Sequence, residues 1–123
     1  MDEEIYKENI LDHYRNPRNI GEIKGANIKG EGRNVSCGDK VVFFVKFGSD
    51  SKVIEASFEG DGCAISQAST SMLTEKIKGM SKDELKLLSP GDMYNMLGIK
   101  ISPGRIKCAL LPYEALNEGL KNV

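Results

Sequence analysis

At 123 residues, with 40% apolar and 28% charged side chains, the chain has the length and composition of one ordinary globular domain, spanning 1–123, with a modest core. Its 17 basic and 18 acidic side chains leave a formal charge of −1, which gives no electrostatic footprint for nucleic acid. The longest apolar run, Val41 to Val45, is far too short to cross a bilayer, so no membrane partner is expected.

The start, Met1-Asp2-Glu3-Glu4, is acidic and lacks the basic and apolar regions of a secretion signal. A cytoplasmic protein with reduced thiols is the expectation. From Glu3 to Tyr14, Ile5, Tyr6, Ile10 and Leu11 recur at helical spacing, and Asn16-Pro17 ends the pattern because a residue before proline resists the α region. Gly21, Gly25, Gly30 and Gly32 then mark an irregular or edge-strand segment. Val41–Phe47 and Lys52–Phe58, rich in β-branched and aromatic residues and joined by Gly48-Ser49-Asp50-Ser51, read as a hairpin. The first strand is apolar on both faces, which predicts cover on both sides. Gly60-Asp61-Gly62 is read as the break after the second strand.

Ile65, Ala68, Met72, Leu73 and Ile77 share one face of a predicted helix that Gly79 is placed to end. Ser81-Lys82-Asp83-Glu84 fits a capping box. Pro90-Gly91 and Gly98 frame a short segment around Met93 to Leu97. Pro103 suits the first turn of a last helix striped by Ile106, Leu110, Tyr113, Leu116 and Leu120. The predicted fold class is α+β: a small three-stranded antiparallel sheet with helices packed on one face.

Three cysteines and one aspartate carry the chemical signal. Cys37 lies in the turn-like Ser36-Cys37-Gly38-Asp39, from which Asp39 can point back to the same place. Cys63 opens a predicted helix, where the dipole and unpaired N–H groups favour a thiolate, and glycines at 60 and 62 allow close approach. Cys108 falls early in the last helix beside Arg105 and Lys107, cations suited to lowering a thiol pKa. Three thiolates and a carboxylate suit zinc, copper(I) or an iron–sulfur cluster. By spacing alone this signal is weak. The cysteines stand 26 positions (37 to 63) and 45 positions (63 to 108) apart, with no C-x-x-C pair, so burial as small apolar residues is the commoner reading on general grounds, against which the glycine turns and helix starts count.

Four segments carry a resemblance. Asn16-Pro17-Arg18-Asn19, Cys37-Gly38-Asp39, the run from Phe58 through Gly62-Cys63-Ala64-Ile65-Ser66 to Ser69, and Arg105-Ile106-Lys107-Cys108-Ala109-Leu110-Leu111 together resemble the U-type iron–sulfur cluster assembly scaffolds, the IscU, SufU and NifU N-terminal family. The resemblance implies that Cys37, Asp39, Cys63 and Cys108 form the metal and cluster site. It implies a scaffold, not an enzyme in the ordinary sense, that takes persulfide sulfur from a cysteine desulfurase, combines it with iron into a two-iron two-sulfur (2Fe–2S) cluster, and hands that to apo acceptor proteins. Cys108 or Cys63 would take the sulfur, with Lys107 stabilising its charge. A homodimer bridging one cluster is compatible with three thiolates per chain. Zinc is the implied rival occupant.

Two departures bear on the branch. Lys107 stands where the IscU branch has a histidine, as in the SufU branch, yet the insertion that SufU members carry between their second and third cysteines is missing. The chaperone-recognition segment of the IscU branch is replaced by Ile101-Ser102-Pro103-Gly104-Arg105. The second hypothesis is thus a zinc-dependent sulfurtransferase serving a cysteine desulfurase, and a third is a zinc-stapled interaction domain. Other residues read more plainly: His13 as a surface or capping residue, Asp61 as a turn residue, Met72, Met80, Met93 and Met96 as core filling, and Ser66, Ser69 and Ser71 as capping or lining their helix.

Overall fold

A computed structural model describes the backbone of residues 3–35 and 38–123 and the side chains of 7–35 and 38–123. Cys37, and the side chains of Ile5 and Tyr6, lie outside the described residues. The elements run α1 (Glu3–Arg15), β1 (Ile28–Asn34), β2 (Asp39–Phe47), β3 (Val53–Asp61), α2 (Ala64–Lys76), α3 (Lys82–Lys86), α4 (Pro90–Leu97), a 3-10 turn (Pro103–Arg105) and α5 (Ile106–Leu120). The three strands form an antiparallel sheet in the order β1-β2-β3. Helix α5 lies along β1 and β2, α2 packs on β3 and α5, and α1 packs on α2. This is the expected α+β architecture. Among the described residues no helix is long and apolar enough to cross a membrane.

Alternation along the strands decides which side chains meet the helices. In β1 and β2 the inward positions pair as Ile28 with Val45, Gly30 with Phe43, Gly32 with Val41 and Asn34 with Asp39. Phe43, Val45, Phe58, Leu73, Leu111 and Leu116 form the centre of the core. On the second face of β2, cover is confined to Phe44; Val42 and Lys46 are partly exposed and Lys40 is exposed. Phe44 is buried, and the Lys29 ammonium lies 5.8 Å from its ring centroid. Beside it, Ser57 donates to the Gly21 carbonyl of the 16–27 connector.

The glycines of β1 mark a close approach rather than irregularity. A Cβ at Gly30 would run into the Ala115 carbonyl oxygen of α5, and one at Gly32 would stand 2.8 Å from the Leu111 carbonyl. Backbone therefore rides directly on backbone. Nor does Gly60 end the second hairpin strand. It pairs with Val41 at a φ of +140° open to glycine alone, and β3 runs on to Asp61. The last helix also starts later than expected: Pro103 opens the 3-10 turn and α5 begins at Ile106. The capping box at Ser81 and Glu84 forms as read, and a second one, Ser89 with Asp92, caps α4.

Candidate metal centre

The register of α5 on the sheet determines where Cys108 falls. Proceeding backwards, Ala115 covers Gly30, Leu111 covers Gly32, and one turn earlier Cys108 arrives at Asn34. Asp39, the inward partner of Asn34, is there already. The third arrival is Cys63, the N-cap of α2, delivered by the turn that leaves β3 through Gly62. A Cβ at Gly62 would lie 2.8 Å from Ser66 Cβ and 3.4 Å from Asp39 Cγ, so that turn is narrow.

The result is a compact donor set. One ligand atom from each of Asp39, Cys63 and Cys108 lies within 4.8 Å of the others. Sulfur ligands of a tetrahedral zinc stand roughly 3.8 Å apart, from Zn–S bonds of about 2.3 Å, so closing on an ion takes a contraction of about 1 Å. Two soft sulfurs and one carboxylate fit zinc or iron, and Cys37 is two residues before Asp39 in the sequence. Asp39 is 7% exposed and Cys108 1%, whereas Cys63 is half-buried and forms the solvent side of the group.

Polar neighbours hold the three in place. The Ser66 hydroxyl donates to Asp39 Oδ2 at 2.9 Å and lies 3.5 Å from Cys63 Sγ. Cys108 Sγ lies 3.8 Å from Asp39 Oδ2, and Asn34 Nδ2 donates toward Cys108 Sγ at 3.8 Å. Burial pushes the Cys63 thiol up, but hydrogen bonding with the Ser66 side chain and backbone, Cys108 and the Ile65 backbone outweighs it and holds the thiol below its ordinary value. A cleft of about 280 Å³ lined by Arg33, Asn34, Val35, Lys107 and Glu114 reaches the group through Asn34.

Lys107 and Arg105 are exposed, and Lys107 lines the cleft that adjoins the group at Asn34. The other sequence candidates sit elsewhere. Asp61 is exposed and is the last residue of β3, paired with Lys40, so it ends a strand where a turn residue was expected. His13 is neither at the surface nor at a cap: it is half-buried, and Nδ1 lies 2.8 Å from Ser71 Oγ, linking α1 to α2. Met93 is fully buried, and Met80 and Met96 pack against the core. Asn34 carries no signal of its own in the sequence, and Ser66 reads there as capping or lining its helix. The strand period could have placed Asn34 inward beside Asp39, whereas the Ser66 contact depends on how α2 leaves the sheet.

The fold and this cluster define a small α+β domain with a sulfur-rich set of ligand side chains. Residues 5–123 match the family described as the NifU-like N terminal domain, and the chain belongs to that family. It is 38% identical to the zinc-dependent sulfurtransferase SufU of Bacillus subtilis over 136 aligned positions, covering 94% of this chain and 89% of that protein. It is 35% identical to the iron–sulfur cluster assembly scaffold protein IscU of Thermotoga maritima, covering 97% of this chain and 94% of that one. Among solved structures, that of the SUF-system iron–sulfur cluster assembly scaffold protein of Fervidobacterium islandicum superposes with a TM-score of 0.78 at 35% identity, covering 98% of this chain and 99% of the other.

Proposed function

We propose that the chain is an iron–sulfur assembly scaffold. It receives persulfide sulfur from a cysteine desulfurase, combines it with iron into a 2Fe–2S cluster held by Cys37, Asp39, Cys63 and Cys108, and passes the cluster to apo acceptor proteins. The observation that carries this reading is the gathering of Asp39, Cys63 and Cys108 from three separate elements within 4.8 Å. The cluster is cargo in this reading, and the carboxylate suits that role because it is a harder and more exchangeable donor than thiolate.

Sulfur arrival needs a thiolate that can attack the outer sulfur of a persulfide, breaking its S–S bond and releasing the desulfurase cysteine as a thiolate. Cys63 is half-buried with a lowered thiol pKa and meets solvent first, while Cys108 lies deeper, at 1% exposure. Lys107, on the rim of the adjoining cleft, supplies a cation for the anionic sulfur. Reconstitution with iron and sulfide under anaerobic conditions tests the assignment. Wild type is expected to show thiolate-to-iron charge-transfer absorption with near-equal iron and sulfide, and Cys108→Ser is expected to lose most of it. Full cluster content in that variant removes Cys108 from the ligand set.

A second reading is favoured by Lys107 and by the name of the B. subtilis relative: a zinc-dependent sulfurtransferase. Zinc would occupy the same four side chains, and bound there it keeps cysteines deprotonated at neutral pH. The missing insertion between the second and third cysteines opposes it. Desulfurase turnover separates the two: strong stimulation by zinc-loaded protein supports transfer, and little change supports the scaffold.

A further inference from the structure

Ser66 touches two of the three gathered side chains. It stands three residues after Cys63 on α2, is 2% exposed, and its hydroxyl lies 2.9 Å from Asp39 Oδ2 and 3.5 Å from Cys63 Sγ. A carboxylate oxygen carries two lone pairs. At Asp39 Oδ2 one is taken by the Ser66 hydroxyl, and the other is approached by Cys108 Sγ at 3.8 Å. Cys108 would ligate a metal ion as the thiolate, which has no proton to offer Oδ2, so the Ser66 hydroxyl would be the described donor left to the Asp39 carboxylate.

We propose that Ser66 is the positioning residue of this centre, holding the Asp39 carboxylate in the one orientation in which it shares an ion with Cys63 and Cys108. The proposal rests on the reading of these side chains as a metal centre. Without the Ser66 hydroxyl the carboxylate loses the shorter of its two described hydrogen bonds and keeps only the longer contact with Cys108 Sγ. Hydrogen-bond partners of ligating side chains are worth about 10- to 100-fold in metal affinity. Alanine keeps the helix, because it is the strongest helix former and removes a single oxygen from α2.

The test uses metal-free full-length chain titrated anaerobically with cobalt(II), whose bands report ligand type and geometry, and with zinc against a chromophoric chelator. Ser66→Ala is expected to keep the thiolate-to-cobalt charge-transfer band, shift the ligand-field bands, and weaken both ions by about 10- to 100-fold. The metal-free thermal midpoint should fall by roughly 5–10 °C, because a buried carboxylate loses a donor, and the chain should remain folded at the temperature of the titration. Ser66→Thr, which keeps the hydroxyl, should recover most of the affinity. In an Asp39→Ala background, removal of the Ser66 hydroxyl should have much less effect. Wild-type affinity and bands in Ser66→Ala overturn the proposal, as does an undiminished effect in the Asp39→Ala background. A wild-type chain that shows no charge-transfer band overturns the metal-centre reading itself, a failure visible before any variant is compared.

Discussion

His13 anchors α1 to the helix that presents Cys63. Its Nδ1 lies 2.8 Å from Ser71 Oγ, which also accepts the backbone N–H of Arg18 at 2.8 Å. A neutral ring with Nδ1 unprotonated can accept the Ser71 proton, and one protonated there can donate to Ser71 Oγ instead. Burial holds the His13 pKa below its usual value, the Arg18 cation adds to this, and Asp12 and Glu75 oppose it. A histidine with a depressed folded pKa contributes stability that is fully present above the unfolded value near 6.5 and is lost as pH falls through the folded one. Comparison with His13→Gln isolates this contribution. The variant should melt below wild type at pH about 7.5, and the gap should close as pH drops to about 5, where protonation of the unfolded chain removes the advantage. A gap that stays constant over that range would show that the ring proton plays no part.

At the scale of elements, the contact between α5 and β1 does most to position the cluster. Ala115 and Leu111 sit on Gly30 and Gly32, and Gly119 is as tight, its own Cβ position lying 2.6 Å from Ile28 Cγ2. Gly30→Ala drives a methyl group into helix backbone that cannot step aside as a flexible side chain would. A loss of about 3 kcal/mol, the upper end of overpacking costs, is expected in urea unfolding. Gly104→Ala, with nothing within 4 Å of the new methyl, should stay within about 0.5 kcal/mol. Equal effects at the two positions would rule out the backbone contact. This contact was also the least legible in the sequence. Local rules read Gly30 and Gly32 as punctuation because the reason for them, α5, lies some eighty residues downstream. The Ser81 capping box, whose two partners are three residues apart, was legible at once. Pro112 gave no warning that it stands inside α5, where it supplies no N–H to return to the Cys108 carbonyl.

For the whole molecule, the candidate site is a product of tertiary structure: a strand start, a helix cap and a first helical turn contribute one gathered side chain each. Residue types and glycine neighbours flagged Cys63, Cys108 and Asp39, and the family resemblance grouped them, but no spacing rule states that positions 39, 63 and 108 meet. Strand alternation turns Asp39 inward; the Ser66 bond to it needs the packed molecule. Such a site should couple metal binding to folding. If zinc binds only the folded chain, free zinc at 100 times its Kd adds about 2.7 kcal/mol. For a chain of this length, each kcal/mol moves the thermal midpoint by roughly 4 °C, so a rise of about 10 °C is expected, reversed by chelator and much reduced in Cys63→Ser. Scanning calorimetry with and without zinc measures it. Binding without a rise in midpoint would mean that the unfolded chain holds the ion equally well. The cysteines would then act as loose thiols, and the convergence of β2, α2 and α5 would contribute nothing to affinity.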